Sequence, residues 1–144
     1  MVNRDVLAGK LGDLANRVAR IRTHVPDSAS ALAANQDTLD LVAFNLMLAV
    51  QACADIAGHM ISDEAWPAAR NLAEGFARLE ERGVLSSATA QSMRLAVGLH
   101  NVVAHGYAGV DVEACFRGAT EGLSDLDAFA REVSTWVAAQ PQGF

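Results

Sequence analysis

The sequence predicts an all-α protein, an up-and-down bundle of four to five helices. Three observations point there. Apolar residues recur at steps of three and four along almost the whole chain, the spacing of one helix face. No stretch reads convincingly as a strand. Helix breakers are few, 3 Pro and 11 Gly in 144 residues, which leaves room for long uninterrupted helices. That length fits one domain with a core able to stand alone, so residues 1–144 are read as a single helical domain. With 51% hydrophobic and 19% charged residues, the chain is too apolar to be disordered. Aromatics are only 6%, so aliphatic residues and Ala must fill most of the core.

The first helix is read from about Asn3 to His24, because Val6, Leu7, Leu11, Leu14, Val18 and Ile21 share one face and Pro26 ends the run. Asp27 and Ser28 can start a short helical turn. Asp37 or Thr38 can cap a second long helix to about Ile61. It is apolar on nearly all sides, so it belongs in the middle of the bundle. Ser62 to Pro67 is a connection. A helix from about Ala68 to Glu81 follows, turning Leu72, Phe76 and Leu79 inward and stopping at Gly83. Ser86-Ser87 can cap a helix through Met93, Leu95, Val97 and Leu99 to about Ala104, with Gly106 and Gly109 breaking it. Asp111 can cap the last helix, which carries Phe116, Leu123, Leu126, Phe129, Val133 and Trp136 and is weakened early by Gly118 and Gly122.

Charge is uneven. The net charge is −6, yet residues 1–25 hold Arg4, Lys10, Arg17, Arg20 and Arg22 against Asp5 and Asp13 only. Such a balance argues against a general nucleic-acid coat protein but not against local contact with RNA. Cys53 and Cys115 have neither zinc spacing nor a disulfide framework. The first residues contain no apolar signal core, which points to a cytoplasmic protein with free thiols. The most hydrophobic stretch, Leu39 to Ile61, carries Asp40, Asn45, Gln51, Asp55 and His59. A bilayer span of ~20 residues tolerates those poorly, so the stretch is read as a buried helix and no membrane is expected.

Two sets of polar residues need an explanation. Gln51, Asp55 and His59 are spaced by four and form one polar stripe on an otherwise apolar helix. Buried and unpaired, each would cost on the order of 1–3 kcal/mol. They must bond to each other, face another subunit or face a solvated cleft. An inter-helix hydrogen-bond network is the plain reading. A metal reading lacks a third and fourth ligand, since local spacing supplies only Asp55 and His59, and no metal is expected. The second set is Gly98 to Tyr107, where His100, Asn101, His105 and Tyr107 crowd one helix end. His105 sits in the last turn, where the macrodipole favours a protonated imidazole, and such a ring can move protons near neutral pH. A polar helix terminus without chemistry is the alternative. No nucleophile elbow and no phosphate-cradling Gly-rich loop are present.

The chain resembles the HEPN superfamily, and within it the HepT-like toxins paired with MntA-like minimal nucleotidyltransferase antitoxins. Four blocks in order carry the resemblance: Arg20 to Pro26, Gln51 to His59, Phe76 to Leu85, and Asn101 to Tyr107 followed by Val110-Asp111. The resemblance implies a metal-independent endoribonuclease that needs no cofactor and works as a homodimer, with the two motifs meeting across the interface. The implied chemistry is attack by an RNA 2′-hydroxyl on the adjacent phosphate, which restricts cleavage to RNA. The family signature is Arg-Asn-x-x-x-His-x-Tyr. Carried over, its His is His105, its Asn is Asn101, and the Tyr that the antitoxin adenylylates is Tyr107. The Arg position holds His100. Arg always carries charge and offers a planar fork to phosphate oxygens, and His does not do so reliably. Arg94 lies six residues earlier, on another face of the helix. His100 either serves as a protonated partner of His105, or the chain is a weakened HEPN module that still binds a nucleotidyltransferase. Gln51, Asp55 and His59 would support the site.

Overall fold

The computed structural model describes residues 1–105 and 111–141, with 104 and 105 described in their backbone alone. Seven helices occur among the described residues: α1 (Arg4–His24), α2 (Ala29–Ala33), α3 (Gln36–Asp63), α4 (Leu72–Glu81), α5 (Ser87–His105), α6 (Val112–Ala119) and α7 (Gly122–Ala139). The described residues contain no strand. The long helices α1, α3, α5 and α7 are the expected bundle, and α2, α4 and α6 are shorter pieces between them.

Side-chain caps set most helix starts. Asn3, Ser28, Asn71 and Asp111 each accept a backbone N–H three residues on. Two boundaries differ from the sequence expectation. Asn35, not Asp37 or Thr38, caps α3: it adopts an extended backbone and its Oδ1 accepts the Thr38 N–H at 3.1 Å. α4 begins at Leu72 rather than Ala68, because Asn71 supplies the cap, and Arg78 donates to the Pro67 carbonyl at 2.8 Å, tying the preceding segment to the helix. Gly83 ends α4 region at φ +76°, a left-handed turn that suits glycine.

The expected last helix is two helices. Thr120 leaves helical geometry at φ −118°, ψ −84°, and its hydroxyl donates to the Phe116 carbonyl at 2.7 Å. The glycines on either side, Gly118 and Gly122, ease the break. Gly118 has a second role. A Cβ there would lie 3.1 Å from Leu99 Cδ2 and 3.4 Å from Leu46 Cδ1, so its absence lets α6 approach α3 and α5.

The central position of α3 is as expected. Twelve of its residues are buried, Leu46, Val50, Ile56 and Met60 among them. It is long and apolar enough to cross a membrane by length and composition, and here that apolar surface forms the middle of the hydrophobic core. Phe76 and Phe129 meet edge to face at 5.8 Å between centroids, joining α4 to α7. Trp66 and Trp136 do the same at 5.6 Å, with the Arg82 guanidinium 5.7 Å from the Trp66 ring. Leu95 departs from the apolar pattern of α5 and is exposed.

Candidate functional site

The candidate site lies where the C-terminal half of α5 crosses the middle of α3. Residues four apart on a helix share a face, so Gln51 and Asp55 stand one turn apart on α3. Gln51 Nε2 donates to Asp55 Oδ1 at 3.1 Å. On the other side of the same amide, Gln51 Oε1 lies 3.1 Å from His100 Nε2, forty-nine residues away in sequence. His100 Nδ1 in turn lies 3.3 Å from Asn101 Oδ1. The result is one continuous chain, Asp55–Gln51–His100–Asn101, running from solvent through a buried ring and back to solvent. His100 is only 9% exposed, whereas Asp55 and Asn101 are exposed.

This arrangement accounts for two of the three polar residues on α3. The inter-helix network exists, but it stops at Asp55. His59 makes no hydrogen bond in it and instead lines a shallow recess of about 520 Å³ with Lys10, Asp55 and Asp63. The stripe is therefore half network and half solvated cleft. Among the described residues no group of three or more His, Cys, Asp or Glu side chains is placed to hold a metal ion.

On α5, Asn101 and His105 occupy register positions one turn apart, and His100 is rotated by about 100° from Asn101. The backbone of His105 ends α5; its side chain, and the whole of Gly106, Tyr107 and Gly109, lie outside the described residues. Arg94 belongs elsewhere, as its helix position predicts: its guanidinium donates to Glu80 on α4 at 3.2 Å. No arginine among the described residues hydrogen-bonds to His100, which occupies the position that the family signature gives to Arg.

One pair near the site was not singled out in the sequence. Arg17 Nη1 donates to Asn45 Oδ1 at 3.2 Å, and Asn45 Nδ2 donates to the Leu41 carbonyl at 2.8 Å. Asn45 is buried, so α1 reaches into α3 with a charge-assisted bond about two turns before Gln51. An amide inside an apolar helical run is the signal that marks it. The two thiols stay out of the site. Cys53 and Cys115 are free and buried; burial raises the Cys53 thiol far above its ordinary range and pushes Cys115 up to about 11.

Comparison with known proteins gives these features a context. Residues 14–133 match the family model described as Ribonuclease HepT-like. The mRNA nuclease HepT of Shewanella oneidensis is 22% identical over 125 residues, covering 87% of this chain and 93% of that protein. The tri-AMPylated Shewanella oneidensis HEPN toxin, solved in complex with MNT antitoxin, has a similar fold at a TM-score of 0.85 and 20% identity, covering 92% of this chain and 99% of that one. YutE from Bacillus subtilis, a cytosolic protein of unknown function, is similar at a TM-score of 0.83 with 12% identity, covering 99% of this chain and 96% of its own.

Proposed function

The chain belongs to the ribonuclease HepT-like family, and from that premise we propose that it is a HepT-like toxin, a metal-independent endoribonuclease neutralised by a nucleotidyltransferase that adenylylates Tyr107. It acts in the cytoplasm, as a homodimer, on RNA. The observation that carries this reading is the end of α5. There an exposed Asn101 stands one turn before His105, and His100 is anchored from α3 through Gln51.

The RNA 2′-oxygen attacks the adjacent phosphorus and the 5′-oxygen leaves, giving a 2′,3′-cyclic phosphate and a 5′-hydroxyl end. His105 moves the proton, either from the 2′-hydroxyl or to the departing oxygen. Asn101 supplies an amide beside the phosphate, and a protonated His100 supplies positive charge where the signature has Arg. AMP groups on Tyr107 bring bulk and phosphate charge to the same helix end and exclude RNA.

The test is expression of the chain without any antitoxin, with growth and bulk RNA followed over time. Wild type cleaves RNA and arrests growth, and His105→Ala does neither. Equal behaviour of the two, with intact RNA in both, removes the reading. Incubation with ATP and an active MntA-like nucleotidyltransferase adds AMP masses at Tyr107, and an unchanged mass counts against that part. A monomer mass by light scattering at micromolar concentration removes the homodimer.

A second reading has its own observation. Both ring nitrogens of His100 face amide oxygens of the same chain, Gln51 Oε1 and Asn101 Oδ1, so the ring is committed before any phosphate arrives. On this reading the chain is a catalytically weakened HEPN module that keeps its fold and its nucleotidyltransferase partner. Wild type then shows little cleavage, and restoring the guanidinium at position 100 raises it.

A further inference from the structure

We propose that Gln51 and Asp55 are positioning residues that hold His100 in its Nε2-protonated form, leaving Nδ1 as the one ring atom open to proton exchange at the site. The inference rests on the reading that the end of α5 is the working site, and it identifies which atom of His100 works there.

A carboxylate only accepts hydrogen bonds. Asp55 Oδ1 therefore takes a hydrogen from the Gln51 amide nitrogen, 3.1 Å away. That orients the amide, since its NH2 end is committed to Asp55 and its oxygen must point the other way. Gln51 Oε1 lies 3.1 Å from His100 Nε2. An amide oxygen also only accepts, so Nε2 carries the hydrogen. In a neutral imidazole one nitrogen donates and the other holds a lone pair. The lone pair is then on Nδ1.

Nδ1 lies 3.3 Å from Asn101 Oδ1, the pairing of a ring with hydrogen on both nitrogens; around the neutral ring the Asn101 amide turns its NH2 to Nδ1. The exposed Asn101 amide can present either end. Its oxygen suits an Nδ1 that carries hydrogen, and its NH2 suits an Nδ1 that does not. Gln51, tied at both ends, cannot turn in this way. The two amides thus divide the labour around one ring: Gln51 fixes Nε2, and Asn101 follows the proton on Nδ1. The geometry explains why a carboxylate two links away from the ring sits on the solvent face of α3, where it makes no contact with His100 itself. Lys10, His59 and Asp63 share the recess with Asp55, so removing the Asp55 charge also changes the field there. The conservative variant separates the two effects, because Asn keeps an acceptor oxygen and drops the charge.

The experiment is nitrogen-15 NMR of the imidazole side chains in the full chain, at a pH where the rings are neutral. Wild type shows His100 as the Nε2–H tautomer with a ring N–H resonance protected from exchange with water, unlike the exposed His24. Gln51→Leu and Asp55→Ala lose that resonance, and Asp55→Asn retains it. The proposal is overturned by an Nδ1–H tautomer in wild type, by a ring N–H as labile as that of His24, or by a resonance unchanged in Asp55→Ala. Loss in Asp55→Asn equal to that in Asp55→Ala also overturns it, by assigning the effect to charge. Asp55 is exposed, so its variants are expected to fold, and the backbone amide spectrum checks this. None of these readouts needs RNA cleavage. A chain that cleaves nothing would sink the ribonuclease reading and leave the tautomer result standing.

Discussion

Glu132 on α7 caps the start of α5 from across the bundle: its Oε1 accepts the Ser86 N–H at 2.6 Å. The other carboxylate oxygen accepts from the Thr89 hydroxyl, and the Ser86 side chain caps Thr89 in turn at 3.2 Å. Burial alone would raise the Glu132 carboxyl, but the Ser86 and Thr89 bonds and the neighbouring Arg131 outweigh it and hold the group below the usual carboxylate range. A carboxyl with a depressed folded-state value stabilises the protein above the ordinary carboxylate range and loses that stabilisation as pH falls through its folded value. Glu132→Ala is expected to cost about 1 kcal/mol near neutral pH, the size of a lost cap. Urea titrations from pH 7 to pH 3 should show the gap between wild type and variant closing as the pH drops. A gap that stays constant with pH would show that the carboxylate charge contributes nothing.

Arg17 and Asn45 couple α1 to α3 in the same fashion. Truncation to Arg17→Ala leaves the buried Asn45 oxygen without its donor, a loss of roughly 1–3 kcal/mol. Asn45→Ala removes the acceptor as well. The double variant should be less destabilised than the sum of the two singles, since the bond can be lost only once. Chemical denaturation of the four proteins measures this, and strict additivity would show that the pair does not interact.

The bundle was legible because its signals are local. Apolar spacing marked α1, α3, α5 and α7, and Gly83, Ser86 and Asp111 marked turns and caps where they stand. Where several cap-formers cluster, as at Asn35, Asp37 and Thr38, spacing cannot choose, and the backbone angles of Asn35 decide. The split of α6 from α7 needed the geometry of Thr120, which no propensity reports. The site follows the same division. The stripe on α3 and the His-Asn pair on α5 were each visible, but the bond between Gln51 and His100 joins residues forty-nine apart. Only the packing of α3 against α5 brings them together. Likewise Glu132 lies forty-six residues from Ser86, and nothing in its neighbourhood along the chain distinguishes it from a surface glutamate.

The thiols make a simple check on the core. Cys53 and Cys115 are fully buried, and burial raises both, Cys115 to about 11. Because the thiolate is the reactive form, neither should react with a thiol reagent at pH 8 while the protein is folded. Both should react in urea. Rapid modification of one cysteine in the folded state would show that the helices around it open.

Gly118 tests how closely α6 must approach its neighbours. Gly118→Ala gains up to ~1 kcal/mol of helix propensity and loses a similar amount by pressing on Leu99 and Leu46, so its thermal midpoint should stay near wild type. Gly118→Val cannot be absorbed by small side-chain shifts and should cost about 1–3 kcal/mol. A Val variant as stable as wild type would mean that the gap between α6 and α5 is looser than the 3.1 Å approach implies.

The change that bears most directly on catalysis is His100→Arg. The surroundings of position 100 present acceptors: Gln51 Oε1 on one side and Asn101 Oδ1 on the other. A guanidinium carries five donors in a planar fork, so it can satisfy both amides and still offer N–H groups to a phosphate. The substitution is therefore expected to leave the fold intact. A single charge contact made at the transition state is worth about 10²–10³ in rate. If the wild-type chain is a weakened module, purified His100→Arg should cleave RNA faster by that order, and His100→Arg combined with His105→Ala should return to background. If His100 already serves as the cation, the gain should be small and wild-type cleavage easily measured. A variant that folds, stays silent and differs in no way from a silent wild type would show that more than the guanidinium has been lost from this site.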